Sequence, residues 1–328
     1  PGGMEIASPD GKIALSINVE PELSYGISYK KRLVIDRSKI AFEFRNAPDL
    51  GRELKVISSQ EAYVNNEWKP VLKRYEKIQN EYNHLIIELE EKDYPGRKVK
   101  FEVRAYNDGM AFRTTLIPND PGFTNTIMEE RVEYSFPMDP LCWAVDYNAF
   151  DSHQESEFNE MHMSDLTDEM YTGLPLTFCM GEKLYGAITE AALVDYAGMY
   201  LSPVVSHDGV TLVTQLAPRH EQKKEGEKVR FEGEKTTPWR VIMLADSPGE
   251  LVESEIIQNL NEPCAIKDPS WIKPGVSAWD HWWSGEVKME QEVIYEYISL
   301  ASEMGWEYML IDWQWYGQFN QPDANIMT

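Results

Sequence analysis

The sequence predicts a mainly β protein. A large antiparallel β-sandwich is expected over residues 1–265, a linker over 266–275, and the first βαβ unit of a truncated (β/α)8 barrel over 276–328. Three observations carry this reading. Short runs of alternating apolar and polar residues recur through residues 1–265, separated by Gly, Asn, Asp and Pro. No long amphipathic helix interrupts them. After residue 275 the pattern changes to an aromatic run, a helix and a continuous apolar run.

In chain order, Ser8-Pro9-Asp10-Gly11 is turn chemistry, and Ile13, Leu15, Ile17 and Val19 then alternate with polar neighbours as in a strand with one buried face. Similar runs follow at Ile27–Tyr29, Ile40–Phe44, His84–Leu89, Val99–Tyr106 and Met110–Leu116. Asn107-Asp108-Gly109 between the last two is a hairpin signal. Leu174–Met180, Leu184–Ile188, Val210–Gln215 and Trp239–Leu244 complete the strand set. Leu251, Val252, Ile256, Ile257 and Leu260 have helical spacing, so residues 249–261 are expected to form one helix, stopped by Asn261-Glu262-Pro263. Asp268-Pro269-Ser270 and Lys273-Pro274-Gly275 mark the linker. Beyond it, Val276–Trp283 reads as a strand, and residues 287–304 as a helix with Ile294, Tyr297, Ile298 and Ala301 on one face and Gly305 as its C-cap. Tyr308–Ile311 reads as a parallel strand buried on both faces, ending in Asp312. Two parallel strands cannot close a barrel, so either further chain completes it or these residues pack on something else.

Lys and Arg total 31 against 55 Asp and Glu, a net charge of −24. That balance, with no local basic block, argues against nucleic acid and against anionic lipid as partners. A 42% hydrophobic content supports a packed core rather than disorder, and no apolar run approaches the ~20 residues of a membrane span. Cys142, Cys179 and Cys264 lie far apart without a CxxC, leaving three free thiols or one bridge with a spare. There is no G-x-S-x-G, no P-loop and no dinucleotide fingerprint.

Two places carry chemistry. Asp312 follows the second parallel strand, at the rim where α/β barrels build their sites, and Trp282, Trp283, Trp313 and Trp315 flank it or the end of the first strand. Carboxylates accept sugar hydroxyls, and flat rings cover the apolar faces of pyranoses. The alternatives are a structural acid and tryptophans that serve packing. The second place is Thr189–Tyr196, where Glu190 sits at a strand end among small apolar residues. Such a carboxylate is either solvated, paired, protonated or bound to a metal. The acidic stretch from His153 to Asp168 has neither HExxH nor EF-hand spacing and reads as a solvated loop.

Tyr106-Asn107-Asp108-Gly109-Met110-Ala111-Phe112-Arg113, then Glu190-Ala191-Ala192-Leu193-Val194-Asp195-Tyr196, Thr237-Pro238-Trp239-Arg240 and Asn259-Leu260-Asn261-Glu262-Pro263 follow one another in this order. With the tryptophan-rich first barrel strand, they make the chain resemble glycoside hydrolase family 97, the calcium-dependent α-glucosidases and α-galactosidases. The resemblance covers nearly the whole chain. It implies that Glu190 contributes one ligand to an active-site calcium ion, a hard cation that takes oxygen donors. It places Asp312 at the acidic position ending the second barrel strand, where the similar members carry Glu, and Trp282 and Trp283 on the first-strand element. It puts the catalytic acid and the base or nucleophile on later barrel strands, beyond residue 328, so no catalytic residue is assigned and this segment alone is expected to be inactive. It implies an exo-acting α-glycosidase that takes oligosaccharides, in the periplasm or secreted. The alternative from a different class is a non-catalytic carbohydrate-binding or interaction sandwich, which would hold glycans without turnover.

Overall fold

The computed structural model describes residues 3–72, 74–204, 209–220, 226–281, 290–312 and 315–317. The chain divides into two units, residues 1–69 with 77–263, and residues 70–76 with 264–328. Among the described residues no helix is long and apolar enough to cross a membrane.

In the first unit eight described strands form one sheet: β1 (Met4–Ala7), β2 (Ile13–Asn18), β3 (Ser24–Tyr29), β4 (Arg32–Phe44), β9 (Asn125–Phe136), β14 (Met199–Val204), β15 (Val210–Leu216) and β16 (Val229–Phe231). Ten form the other: β5 (Leu54–Trp68), β6 (Ile78–Glu91), β7 (Lys98–Tyr106), β8 (Gly109–Ile117), β10 (Leu141–Ala144), β11 (Asn159–His162), β12 (Leu176–Cys179), β13 (Tyr185–Ala191), β17 (Lys235–Thr236) and β18 (Trp239–Ala245). The first sheet runs β1-β2-β3-β4-β9-β15-β14 with β16 on β9. The second runs β11-β10-β12-β13-β18-β8-β7-β6-β5 with β17 on β8. β7 and β8 pair Tyr106 with Gly109 across Asn107-Asp108, the hairpin the sequence predicts.

The sheets pack face to face because alternate residues point inward. Ile13, Leu15 and Ile17 of β2 meet a layer that includes Leu85 and Ile87 of β6 and Phe101 and Val103 of β7, all buried in one apolar cluster. Tyr25 against Phe112 at 4.8 Å and Phe136 edge-on to Phe178 at 5.0 Å join the layers. Each such side chain contributes roughly 1.5–3 kcal/mol when fully buried. The outer face of the ten-stranded sheet carries a second cluster. Trp239, Val241 and Met243 of β18 and Ala187 and Ala191 of β13 lie under Ile256 and Leu260 of the short helix α2 (Ile256–Leu260). β18 is therefore buried along its whole length.

Several elements differ from the sequence expectation. The single helix expected at 249–261 is two, α1 (Pro248–Glu253) and α2. The break is at Ser254, whose backbone is extended and whose hydroxyl donates to Asp108 Oδ2 at 2.6 Å and accepts the Ile256 N–H at 3.3 Å. A serine that bonds nearby backbone competes with the helix. β5 and β9 are long strands without a predicted counterpart. β5 is mostly exposed and forms one edge of its sheet, bonding to β6.

The second unit contains β19 (Ser277–Trp279), α3 (Gln291–Met304) and β20 (Tyr308–Leu310). The two strands pair parallel, Ser277 with Tyr308 and Trp279 with Leu310. α3 ends where expected, with Gly305 at φ 71° as its cap, while positions 287–289 of the expected helix lie outside the described residues. The run Tyr308–Ile311, expected to be buried on both faces, leaves Tyr308, Leu310 and Ile311 exposed. Among the described residues β19 and α3 pack against β20 and leave part of its surface uncovered.

Candidate functional site

Glu190 is near the end of β13, directly opposite Arg240 of β18. Alternation along β13 decides its direction. Ile188 faces the core between the sheets and Ala187 and Ala191 face the outer cluster, so Glu190, in phase with Ile188, points inward. There Arg240 Nη1 donates to Glu190 Oε2 at 2.6 Å, and the Met199 N–H donates to Oε1 at 3.1 Å. The rest of the guanidinium grips Glu130, on β9 of the facing sheet. Nε reaches Oε1 at 2.8 Å and Nη2 reaches Oε2 at 2.6 Å, a bidentate pair. Tyr196 donates its hydroxyl to Glu130 Oε2 at 2.8 Å. The network thus spans both layers.

Arg240 and Glu130 are almost wholly buried, whereas the Glu190 side chain keeps 13% of its exposure. Two carboxylates share one guanidinium, so the cluster with both ionised carries a net negative charge. Burial pushes the Glu190 carboxyl up, against the opposing pull of Arg240 and the Met199 N–H. Burial works against the Arg240 charge too, but Glu130 and Glu190 outweigh it and its pKa rises. Burial also drives the phenols of Tyr196 and Tyr134 well above their ordinary range. Losing one partner of such a cluster costs about 3–5 kcal/mol, because a buried charge is left uncompensated.

The segment after Glu190 is held in an unusual backbone. Ala192 and Asp195 have φ of 54° and 50°, the left-handed region that costs a non-glycine residue energy. Lys235 closes it down, donating to the Asp195 carbonyl at 2.9 Å and pairing with the Asp195 carboxylate. A cleft of about 350 Å³ opens beside Tyr196 and is lined also by Ala217, Lys228 and Arg230.

In the second unit, Asp312 follows β20. Its Oδ2 accepts the Trp279 indole N–H at 2.9 Å, and its backbone N–H donates to the buried Asp280 at 3.2 Å. Trp282, Trp283 and Trp313 lie outside the described residues, and Trp315 is exposed. All three cysteines are free. Among the described residues no three His, Cys, Asp or Glu gather as a metal site.

Arg240 and Glu130 escape the sequence reading as site residues, yet each carries a signal. Glu130 is in phase with Val132, Tyr134 and Phe136, an acid at a core position of β9. Arg240 is a charge inside the apolar run Trp239–Leu244.

A second charged cluster lies on the outer face of the ten-stranded sheet. Arg104 and Arg113 stack on Trp239 at 4.7 and 4.3 Å from its ring centre. Glu102 lies between His84 Nε2 at 2.9 Å and Arg113 Nε at 2.8 Å. Burial would raise the Glu102 carboxyl, but the bonds to His84 and Arg113 outweigh it and bring it down to about 2.

Comparison with known proteins agrees with this architecture. The family model described as Glycosyl-hydrolase 97 N-terminal matches residues 6–263. The chain is 27% identical over 338 residues to a retaining alpha-galactosidase of Bacteroides thetaiotaomicron, covering 94% of this chain and 50% of that protein. A probable retaining alpha-galactosidase of Streptomyces bingchenggensis is 25% identical over 309 residues, covering 92% of this chain and 44% of that one. Among solved structures, a Glycoside Hydrolase Family 97 enzyme from Pseudoalteromonas sp. strain K8 in complex with acarbose matches at a TM-score of 0.81 and 25% identity, over 94% of this chain and 47% of that one. A variant from the same strain in complex with panose matches at 0.83 and 25% identity, over 98% and 48%. The chain spans about half the length of the relatives it matches.

Proposed function

Because the chain belongs to glycoside hydrolase family 97, we propose that it is the N-terminal part of an exo-acting α-glycosidase that releases terminal α-linked galactose or glucose from oligosaccharides. The retaining alpha-galactosidases among its relatives favour galactose, and the relatives complexed with acarbose and panose favour glucose. The second unit is read as the first βαβ of a (β/α)8 barrel, and the catalytic acid and its partner carboxylate as residues of further barrel strands. Glycosidases of this kind need two carboxylates flanking the bond, so neither Glu190 nor Asp312 is given that role. A periplasmic or secreted location accompanies this reading.

The observation that carries it is Glu190 with its surroundings. The donor set fits calcium as a contribution: a carboxylate oxygen, partly accessible, in a cluster with two acids to one guanidinium. One carboxylate is not a complete site, which takes six to eight oxygens. Calcium, when bound, supplies Lewis acidity and a fixed positive charge near the reacting sugar. Glu190 would contribute one ligand to the cation, and Asp312, Trp282 and Trp283 are read as substrate-binding residues.

The test uses the full-length protein on p-nitrophenyl α-galactoside and α-glucoside, with calcium or with a chelator. Hydrolysis of at least one, lost in chelator and reduced together with calcium affinity in Glu190→Gln, is the expected result. Activity indifferent to both chelator and Glu190→Gln overturns the calcium assignment. Glycan binding by calorimetry with no turnover of either glycoside overturns the enzyme reading in favour of a carbohydrate-binding module.

A further inference from the structure

We propose that Arg240 and Glu130 are positioning residues for Glu190: Glu130 anchors the Arg240 fork from the opposite sheet, and the third arm of that fork fixes the Glu190 carboxylate that meets the cation. This rests on the reading of Glu190 as the calcium ligand.

The geometry supports it in three ways. Arg240 gives Glu130 both Nε and Nη2, so its plane is set by a residue that is itself 2% exposed and tied to Tyr196. That plane leaves Nη1 for Glu190 Oε2 at 2.6 Å, so the two carboxylates meet different edges of the guanidinium. Oε1 is the less engaged oxygen, accepting one neutral N–H at 3.1 Å. Glu130 takes two of the three Arg240 contacts, and Glu190 is held through Oε2 with Oε1 left for a cation. Without Glu130, the guanidinium would turn its unmatched charge on Glu190. That both loosens the orientation and repels a cation. Partners of this outer kind are worth about 10- to 100-fold in metal affinity.

The experiment is calorimetric titration of calcium into chelator-stripped full-length protein, alongside its melting temperature in chelator. Glu130→Gln keeps the shape and removes the anchoring charge, and Tyr196→Phe removes one bond to Glu130 without touching either charge. Glu130→Gln is expected to weaken calcium binding about tenfold or more, and Tyr196→Phe several-fold in the same direction. In the Glu190→Gln background, Glu130→Gln is expected to add little further loss, as for residues acting through one another. If the melting temperature falls in both variants while their calcium affinity stays at the wild-type value, the pair is structural and the proposal fails. If Glu130→Gln does not fold, Tyr196→Phe decides alone. If Glu190→Gln itself leaves calcium affinity intact, the premise about Glu190 fails, a result distinguishable from the previous one.

Discussion

Replacing Glu102 by Gln should destabilise the protein, and the loss should depend on pH in a defined way. Although burial opposes it, His84 and Arg113 hold the folded Glu102 carboxyl down at about 2, against an ordinary value of 4.5. At 1.36 kcal/mol per pKa unit the shift corresponds to about 3 kcal/mol. The partners His84, Arg113 and Arg104 retain 17, 25 and 20% of their side-chain exposure, and solvent screening brings the expected effect to about 2 kcal/mol. The folded pKa is depressed, so between about pH 4.5 and 2 the unfolded chain binds more protons and stability rises with pH. The contribution is complete above about pH 5, falls by more than half near pH 3 and vanishes below about pH 2. Urea unfolding of the wild type and Glu102→Gln at pH 7, 5 and 3, followed by tryptophan fluorescence, measures it as a difference. Other carboxylates titrate in both proteins and largely cancel. A loss under about 0.5 kcal/mol at pH 7, or one equal at pH 7 and pH 3, would refute the assignment of this stability to the ionised Glu102 cluster.

Two further outcomes follow from local geometry. A Cβ at Gly186 would lie 2.3 Å from the buried Phe178 ring, which Phe136 holds edge-on, so Gly186→Ala should cost about 1–3 kcal/mol and lower the melting temperature measurably. Lys235→Ala should change global stability by less than about 1 kcal/mol, since Asp195 is 88% exposed, yet should increase protease cleavage within residues 192–196 as the segment loses its tie.

Much of the sandwich was legible because its strands alternate. β2 buries every second residue, and two turn residues set the hairpin between β7 and β8. β18 was legible as a continuous apolar run, for it is covered on both faces. β5 escaped since it buries almost nothing and so shows no period. β9 escaped because Glu129-Glu130-Arg131 sits mid-strand, and a charged tract reads as a surface. The same masking hid part of the site. Glu190 was found through its sequence neighbours, whereas Glu130 and Arg240 matter through each other across two sheets, a pairing no local window contains. The break at Ser254 was invisible for a related reason, its partner Asp108 lying far away in sequence.

β5 has a consequence for how the protein behaves when concentrated. It runs for 15 residues along a sheet margin, and the backbone groups on its outer side face away from β6. Such a margin is a template on which an extended segment of any neighbouring molecule would add as a new strand. What discourages this is the side-chain content of β5 itself: Lys55, Glu61 and Glu67 interrupt the apolar positions, and the last of these is tied to Lys77. A second copy that sets Glu61 or Glu67 opposite its own glutamates brings like charges together, which disfavours that pairing. Solubility here is therefore written along a strand that adds little to the core, and changes there would show first as turbidity rather than as a lower melting temperature.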